Sequence, residues 1–171
     1  MGSGNSGSYN GTKGGSQPYA ETYHVYPKAM AIDKTDAAIY DPQNGYFRNP
    51  TAVKLEDSIQ NDRVFIDGRR QEGMLTYVMD KDGKIIIAKR SNPNNSKGRA
   101  PHPTLIGGKD PQVQCAGMIH FRKGRIVSVD TNSGHFRPDI RSLAKVKTAL
   151  QALYDKHPDL FDPSSEWRKR K

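Results

Sequence analysis

The 171-residue chain has the length of one domain, 34% apolar residues and a mean hydropathy of −0.82, which places it at the polar end of the globular range. Its net charge of +9, from 27 basic and 18 acidic side chains, favours polyanionic or acidic partners. The single Cys115 excludes an internal disulfide framework and any multi-cysteine zinc site, and no apolar run is long enough for a membrane span or a secretory signal.

Residues 1–18 are mostly Gly, Ser, Asn and Thr, a composition that cannot bury a core and reads as a leader or linker before a single domain over 19–171. Tyr19 to Tyr26 mixes aromatics with Thr and Val and is compatible with a short strand. Pro27 to Ala38 is compatible with a helix that stops before the turn signals Asp41-Pro42 and Asn44-Gly45. Thr51 to Gln60, with Val53, Leu55 and Ile59 apolar, is expected to form a second short helix. Arg63 to Asp67 reads as a strand turned by Asp67-Gly68. Leu75 to Asp80 and Lys84 to Ala88 flank Lys81-Asp82-Gly83 as a hairpin, and Val113 to Phe121 with Arg125 to Val129 form another across Lys123-Gly124. Leu143, Val146, Leu150 and Leu153 make the apolar stripe of a helix that His157-Pro158 should end. The expected fold is therefore α+β: N-terminal helices, an antiparallel β-meander of about four strands, and a closing C-terminal helix.

Chemistry concentrates between Lys89 and Pro138. From Lys89 to Lys109 there are five basic residues and no acidic one, in a long Asn-, Pro- and Gly-rich loop that leads into His102. His102 lies between Pro101 and Pro103, which implies a stiff, extended backbone and a fixed imidazole, and Thr104 follows two residues later. After the second hairpin comes Ser133-Gly134-His135-Phe136-Arg137-Pro138; an extended segment would put Ser133, His135 and Arg137 on one side. Two imidazoles, two hydroxyls and a guanidinium are the parts for moving protons around a phosphate without a metal or cofactor. The same segment also reads as a polar turn with His135 bonded to backbone. His24 and His157 suit structural roles, His120 the surface and Cys115 a buried inert thiol.

On these residues the segment from Tyr77 to Pro138 resembles the C-terminal toxin domains of bacterial polymorphic toxins. The shared pattern is a His followed by small or hydroxyl residues (His102-Pro-Thr104), Ala116-Gly117, Gly124, and Ser-Gly-His-aromatic-basic-Pro at Ser133 to Pro138. A similar arrangement occurs in plant IQ-motif calmodulin-binding proteins, whose calmodulin-binding segment has no counterpart here. The resemblance implies an effector module released from a larger secreted protein, acting in the target-cell cytoplasm and countered by a cognate immunity protein.

The expectation is a metal-independent ribonuclease acting on cellular RNA. His102 and His135 act as base and acid, Arg137 with Lys89 or Arg90 stabilises the phosphorane, and Ser133 and Thr104 orient the substrate. Arg99 and Lys109 add to the RNA grip; neither a membrane nor sequence-specific DNA binding is expected. Two alternatives stay open: an NAD-dependent ADP-ribosyltransferase toxin and a non-enzymatic basic binding module. The absence of any Glu between Glu72 and Glu166 counts against the transferase.

Overall fold

The computed structural model describes residues 17–25, 40–41, 43, 46–47, 52–89, 102–107, 110–133 and 136–169. In chain order the strands are β1 (Tyr23–His24), β2 (Tyr40–Asp41), β3 (Tyr46–Phe47), β4 (Val53–Lys54), β5 (Ile59–Gln60), β6 (Arg63–Ile66), β7 (Arg69–Arg70), β8 (Gly73–Met79), β9 (Ile85–Ala88), β10 (Gln112–Val113), β11 (Cys115–Arg122) and β12 (Arg125–Val129). The α-helices are α1 (His102–Ile106), α2 (Leu143–Lys156) and α3 (Glu166–Lys169).

The central sheet has the order β12-β11-β8-β9-β4 and every pairing in it is antiparallel. Alternation along its strands splits the side chains between two cores. Leu75, Tyr77, Met79, Ile87, Ile119 and Phe121 join Val146 and Leu150 of α2 in the larger cluster, which Phe161 and Trp167 close from the C-terminal end. On the opposite face Val78, Ala88 and Ala116 pack with Tyr23, Leu105, Val113 and Phe136 in a smaller cluster. This second core matters for function, because it seats α1 and the segment around Phe136 on the sheet.

Both sequence-read hairpins form. Lys123 and Gly124 sit at φ 53° and 79°, the left-handed pair that a two-residue primed turn requires. Asp67 and Gly68, at φ 53° and 77°, make the same kind of turn, and the chain returns as β7, a strand made of two arginines. The C-terminal helix ends where His157 donates its N–H to the Leu153 carbonyl ahead of Pro158.

The N-terminal half differs from expectation. Of the helix read over Thr51 to Gln60, the described residues 52–60 are not α-helical: Val53 pairs with Ile87, Lys54 with Ile86 and Ile59 with Val64, which leaves only a single 3-10 turn over Leu55–Ser58. Sheet-edge pairing of β-branched Val53 and Ile59 outweighs a weak local helix preference. The helix read over Pro27 to Ala38 lies outside the described residues. With five strands in the main sheet and several two-residue strands beside it, the fold is a mixed α/β arrangement of antiparallel sheets with a C-terminal helix, and has more strands than a simple meander. Among the described residues no helix is long and apolar enough to cross a membrane.

Candidate active site around His102 and Gly117

His102 opens α1; the backbone is not extended, as its flanking prolines suggested. Pro103 falls in the first helical turn, where its missing N–H is no loss and its fixed φ suits the helix. Gly107, at φ 74°, ends the helix and returns its N–H to the Pro103 carbonyl at 2.8 Å. His102, Thr104 and Leu105 are all buried as α1 packs onto β8, β9 and β10.

The His102 ring reaches the middle of β11. Its Nε2 lies 2.7 Å from the Gly117 carbonyl oxygen. A carbonyl can only accept, so Nε2 carries the hydrogen and the ring's tautomer is set; in the neutral imidazole Nδ1 is then the basic nitrogen.

Gly117 is irreplaceable for a steric reason. A β-carbon there would overlap the Asp130 carbonyl, with the Asp130 carbonyl carbon only 2.6 Å away. That close approach lets Asp130 dock alongside the strand. Its N–H donates to the Met118 carbonyl at 3.1 Å, and its Oδ1 accepts from the N–H groups of Met118 (2.8 Å) and Asn132 (2.9 Å). The Tyr77 hydroxyl donates to the Asp130 carbonyl at 2.7 Å and lies 3.6 Å from Cys115 Sγ. Burial, then the neighbouring Cys115 and Asp130, push the Tyr77 hydroxyl well above its ordinary pKa. Burial also raises the Cys115 thiol to about 11, against smaller lowering effects led by its hydrogen bond with Tyr77. Both shifts favour the protonated forms, in keeping with a buried thiol.

Asp130 begins the loop that carries the second half of the candidate site. Thr131 and Ser133 are buried in it. Thr131 Oγ1 has no hydrogen-bond partner among the described residues, a costly state for a buried hydroxyl. Ser133 Oγ accepts from the Phe136 N–H at 3.3 Å, and the Ser133 carbonyl accepts from the Arg137 N–H at 2.7 Å. Ser133 thus bonds the N–H groups of Phe136 and Arg137, with Arg137 at φ 45°, and the two residues are not aligned along an extended ladder. The pull of Ser133 on two later N–H groups decides this against alternation.

The loop is tied down from outside. Gln17 donates its N–H to the Arg137 carbonyl at 2.7 Å and its side-chain amide to the carbonyls of Phe136 (2.6 Å) and His24 (3.0 Å). Buried Asp139 takes a two-pronged grip from Arg141, at 2.9 and 3.1 Å, and donates its N–H to the Tyr23 hydroxyl. The hydrogen bonds and nearby charge of Asp139 raise Arg141 above its ordinary pKa, opposed by a smaller desolvation effect.

Of the candidate catalytic residues, then, His102 reaches β11 through the Gly117 carbonyl, Thr104 is buried in α1, Ser133 is buried in the loop after β12, and Arg137 is half-buried at that loop's end. Lys89 is half-buried just beyond β9. His135, Arg90, Arg99 and Lys109 lie outside the described residues. His24 and His157 each bond a carboxylate through Nδ1, Asp110 and Asp62 respectively, both at 2.9 Å. A surface groove of about 250 Å³ lies between α2 and the β8–β9 turn, lined by Leu55, Ile85 and Leu153 among others; no candidate catalytic residue borders it.

Residue-by-residue reading missed Gly117, Asp130, Tyr77 and Thr131 as parts of the site. A glycine inside an otherwise apolar strand was the available signal for the first, because it marks close backbone approach. Comparison with protein-family models, with curated proteins and with solved structures finds no match to this chain.

Proposed function

We propose that this domain is a bacterial toxin effector acting as a metal-independent ribonuclease. The observation that carries the reading is the bond from His102 Nε2 to Gly117, which sets the tautomer and makes Nδ1 the basic nitrogen of the neutral ring. His102 takes the proton from a ribose 2′-hydroxyl. The 2′-oxygen attacks the adjacent phosphorus, the bond from phosphorus to the 5′-oxygen breaks, and His135 donates a proton to that departing oxygen. The products are a 2′,3′-cyclic phosphate and a 5′-hydroxyl end.

Arg137 with Lys89 or Arg90 balances charge on the pentacoordinate phosphorus, Arg99 and Lys109 hold the RNA backbone, and Thr104 and Ser133 orient the reacting sugar. Buried donors in a low-dielectric layer act more strongly than they would in water, which favours a site built where His102, Thr104 and Ser133 are withdrawn from solvent. In this reading the domain is delivered from a larger secreted protein into the target-cell cytoplasm and neutralised there by an immunity protein.

The test incubates the purified domain with total RNA in EDTA, beside the His102→Ala and His135→Ala variants. Cleavage that persists in EDTA, leaves cyclic phosphate ends and disappears in both variants supports the reading. Intact RNA together with consumption of labelled NAD would replace it with the transferase alternative.

A further inference from the structure

The far end of β11 carries a feature that the catalytic reading does not use. The β6–β7 hairpin docks across the β11–β12 turn: Gly124 donates its N–H to the Gln71 carbonyl at 2.9 Å, and its own carbonyl accepts from Val64 at 2.8 Å. The Lys123 N–H is held by the Glu72 carboxylate. This crossing collects Arg63, Arg69, Arg70, Arg122, Lys123 and Arg125 at one tip of the molecule.

The cost of that arrangement points to a ligand. Arg122 and Arg125 stand directly opposite each other across the hairpin, and like charges so placed repel. Asp162 answers Arg122 at 3.2 Å, but Arg125 Nε is buried without a hydrogen-bond partner. Arg69, Arg70 and Lys123 are exposed, and their side chains have no partner among the described residues. Of the acidic groups nearby, Asp62 bonds His157, Asp159 faces Arg168, Glu72 caps Lys123 and Asp162 is taken by Arg122. Apart from the exposed Asp67 of the β6–β7 turn, the neighbouring acids are thus committed, while the guanidinium groups of Arg69 and Arg70 have no partner among the described residues.

We infer that this tip is a binding surface for the phosphate backbone of single-stranded RNA, an inference that rests on the ribonuclease reading and extends it to how substrate is held. Guanidinium forks match phosphate oxygens two at a time. An acidic protein is the weaker fit, because protein interfaces anchor on buried aromatic and apolar groups. Among the described residues the only exposed large hydrophobics are Tyr19, which lies against Arg141 and Lys145, and Met74, a single apolar side chain at this end of the sheet opposite His120. With no exposed aromatic among the described residues of the tip to stack on bases, the surface reads charge and not sequence. Along β11 the tip stands about 20 Å from Gly117, the rise of the six residue steps from Gly117 to Lys123. A strand of RNA several nucleotides long therefore reaches both.

The probe is a fluorescein-labelled 2′-O-methyl oligouridylate of about 16 nucleotides, which lacks the attacking hydroxyl and stays uncut. Its binding is followed by anisotropy across a salt series. The Arg69→Ala/Arg70→Ala double variant should bind about tenfold more weakly at ~0.1 M salt and lower the salt slope by about 1.4. A Lys81→Ala/Lys156→Ala variant, which removes the same charge from exposed sites elsewhere, should bind like the wild type. An oligoadenylate of equal length should bind as well as the oligouridylate.

Unchanged binding in the arginine variant overturns the proposal. So does an equal loss in the lysine variant, which would leave only net charge, and so does absence of RNA binding alongside capture of an acidic protein. RNA that binds through this tip yet is never cut sinks the ribonuclease reading and leaves the surface standing.

Discussion

At Gly117 the strand β11 is hemmed in by the Asp130 backbone, whereas at Gly124, just past its other end, the nearest groups are the side chains of Arg70 and Arg63. The first environment is dry and built from hydrogen bonds among uncharged groups and one carboxylate. The second is exposed and cationic. One strand thus carries two kinds of chemistry: near its start backbone atoms and an imidazole are held by burial and hydrogen bonds, and near its tip charges are displayed on long side chains. Fixed geometry suits bond-making, and flexible charge suits holding a long anion.

The sharpest way to break this comparison is to add one methyl group at each end. Gly117→Ala must push Asp130 off the strand and should cost more than about 3 kcal/mol in urea unfolding, at the severe end for a single substitution. Gly124→Ala strains a positive φ; the Arg70 stem can rotate away and the 3.0 Å approach to Arg63 Cβ needs only a small shift, so about 1–2 kcal/mol is expected. Equal losses at the two positions would show that β11 is not more tightly enclosed at Gly117.

A smaller effect is expected from Tyr77→Phe, which strips the Asp130 carbonyl of its 2.7 Å donor inside the core. An unsatisfied buried acceptor costs about 1–3 kcal/mol, so thermal unfolding should shift down while the RNA-binding salt slope stays as in the wild type. A change in that slope would mean that the two ends are not independent.

The smallest effect concerns pH and belongs to the tip. Burial raises the Asp162 pKa, but hydrogen bonds from Ser164 and the charges of Arg122 and Arg125 outweigh it, and the net shift is downward from 3.8. A depressed carboxylate pKa contributes stability that is fully present above its unfolded value and is lost as pH falls through the lower folded value. Unfolding followed from pH 6 to pH 2 should therefore show a loss below about pH 4 that is smaller in Asp162→Asn. Parallel curves for the two proteins would remove Asp162 as the counter-ion of the arginine pair.

How much of this was legible depends on whether the cause is local. Lys123-Gly124 and Asp67-Gly68 announce their turns because the backbone of each pair must go left-handed. The stripe of Val146 and Leu150 announces α2 because its burial follows the helical period. Neighbouring sequence cannot reveal that Val53 finds Ile87 on a distant strand, which turns an expected helix into a sheet edge. Nor can it reveal the return strand β7, whose arginines carry no apolar pattern. At the candidate site His102, Thr104 and Ser133 were named from their residue types, and the structure adds that all three are buried and that His102 bonds β11 at Gly117. Gly117 and Asp130 act through a single close approach between residues 13 positions apart. That contact exists only once the second hairpin has formed.

The decisive measurement is single-turnover cleavage of a labelled RNA at increasing protein concentration, run in parallel on the wild type, His102→Ala and Arg69→Ala/Arg70→Ala. The account predicts that His102→Ala abolishes the saturating rate while the concentration needed for half-saturation of RNA binding is unchanged. It also predicts that the arginine variant moves that concentration about tenfold upward. Full cleavage by His102→Ala would contradict it, because the base would then lie elsewhere.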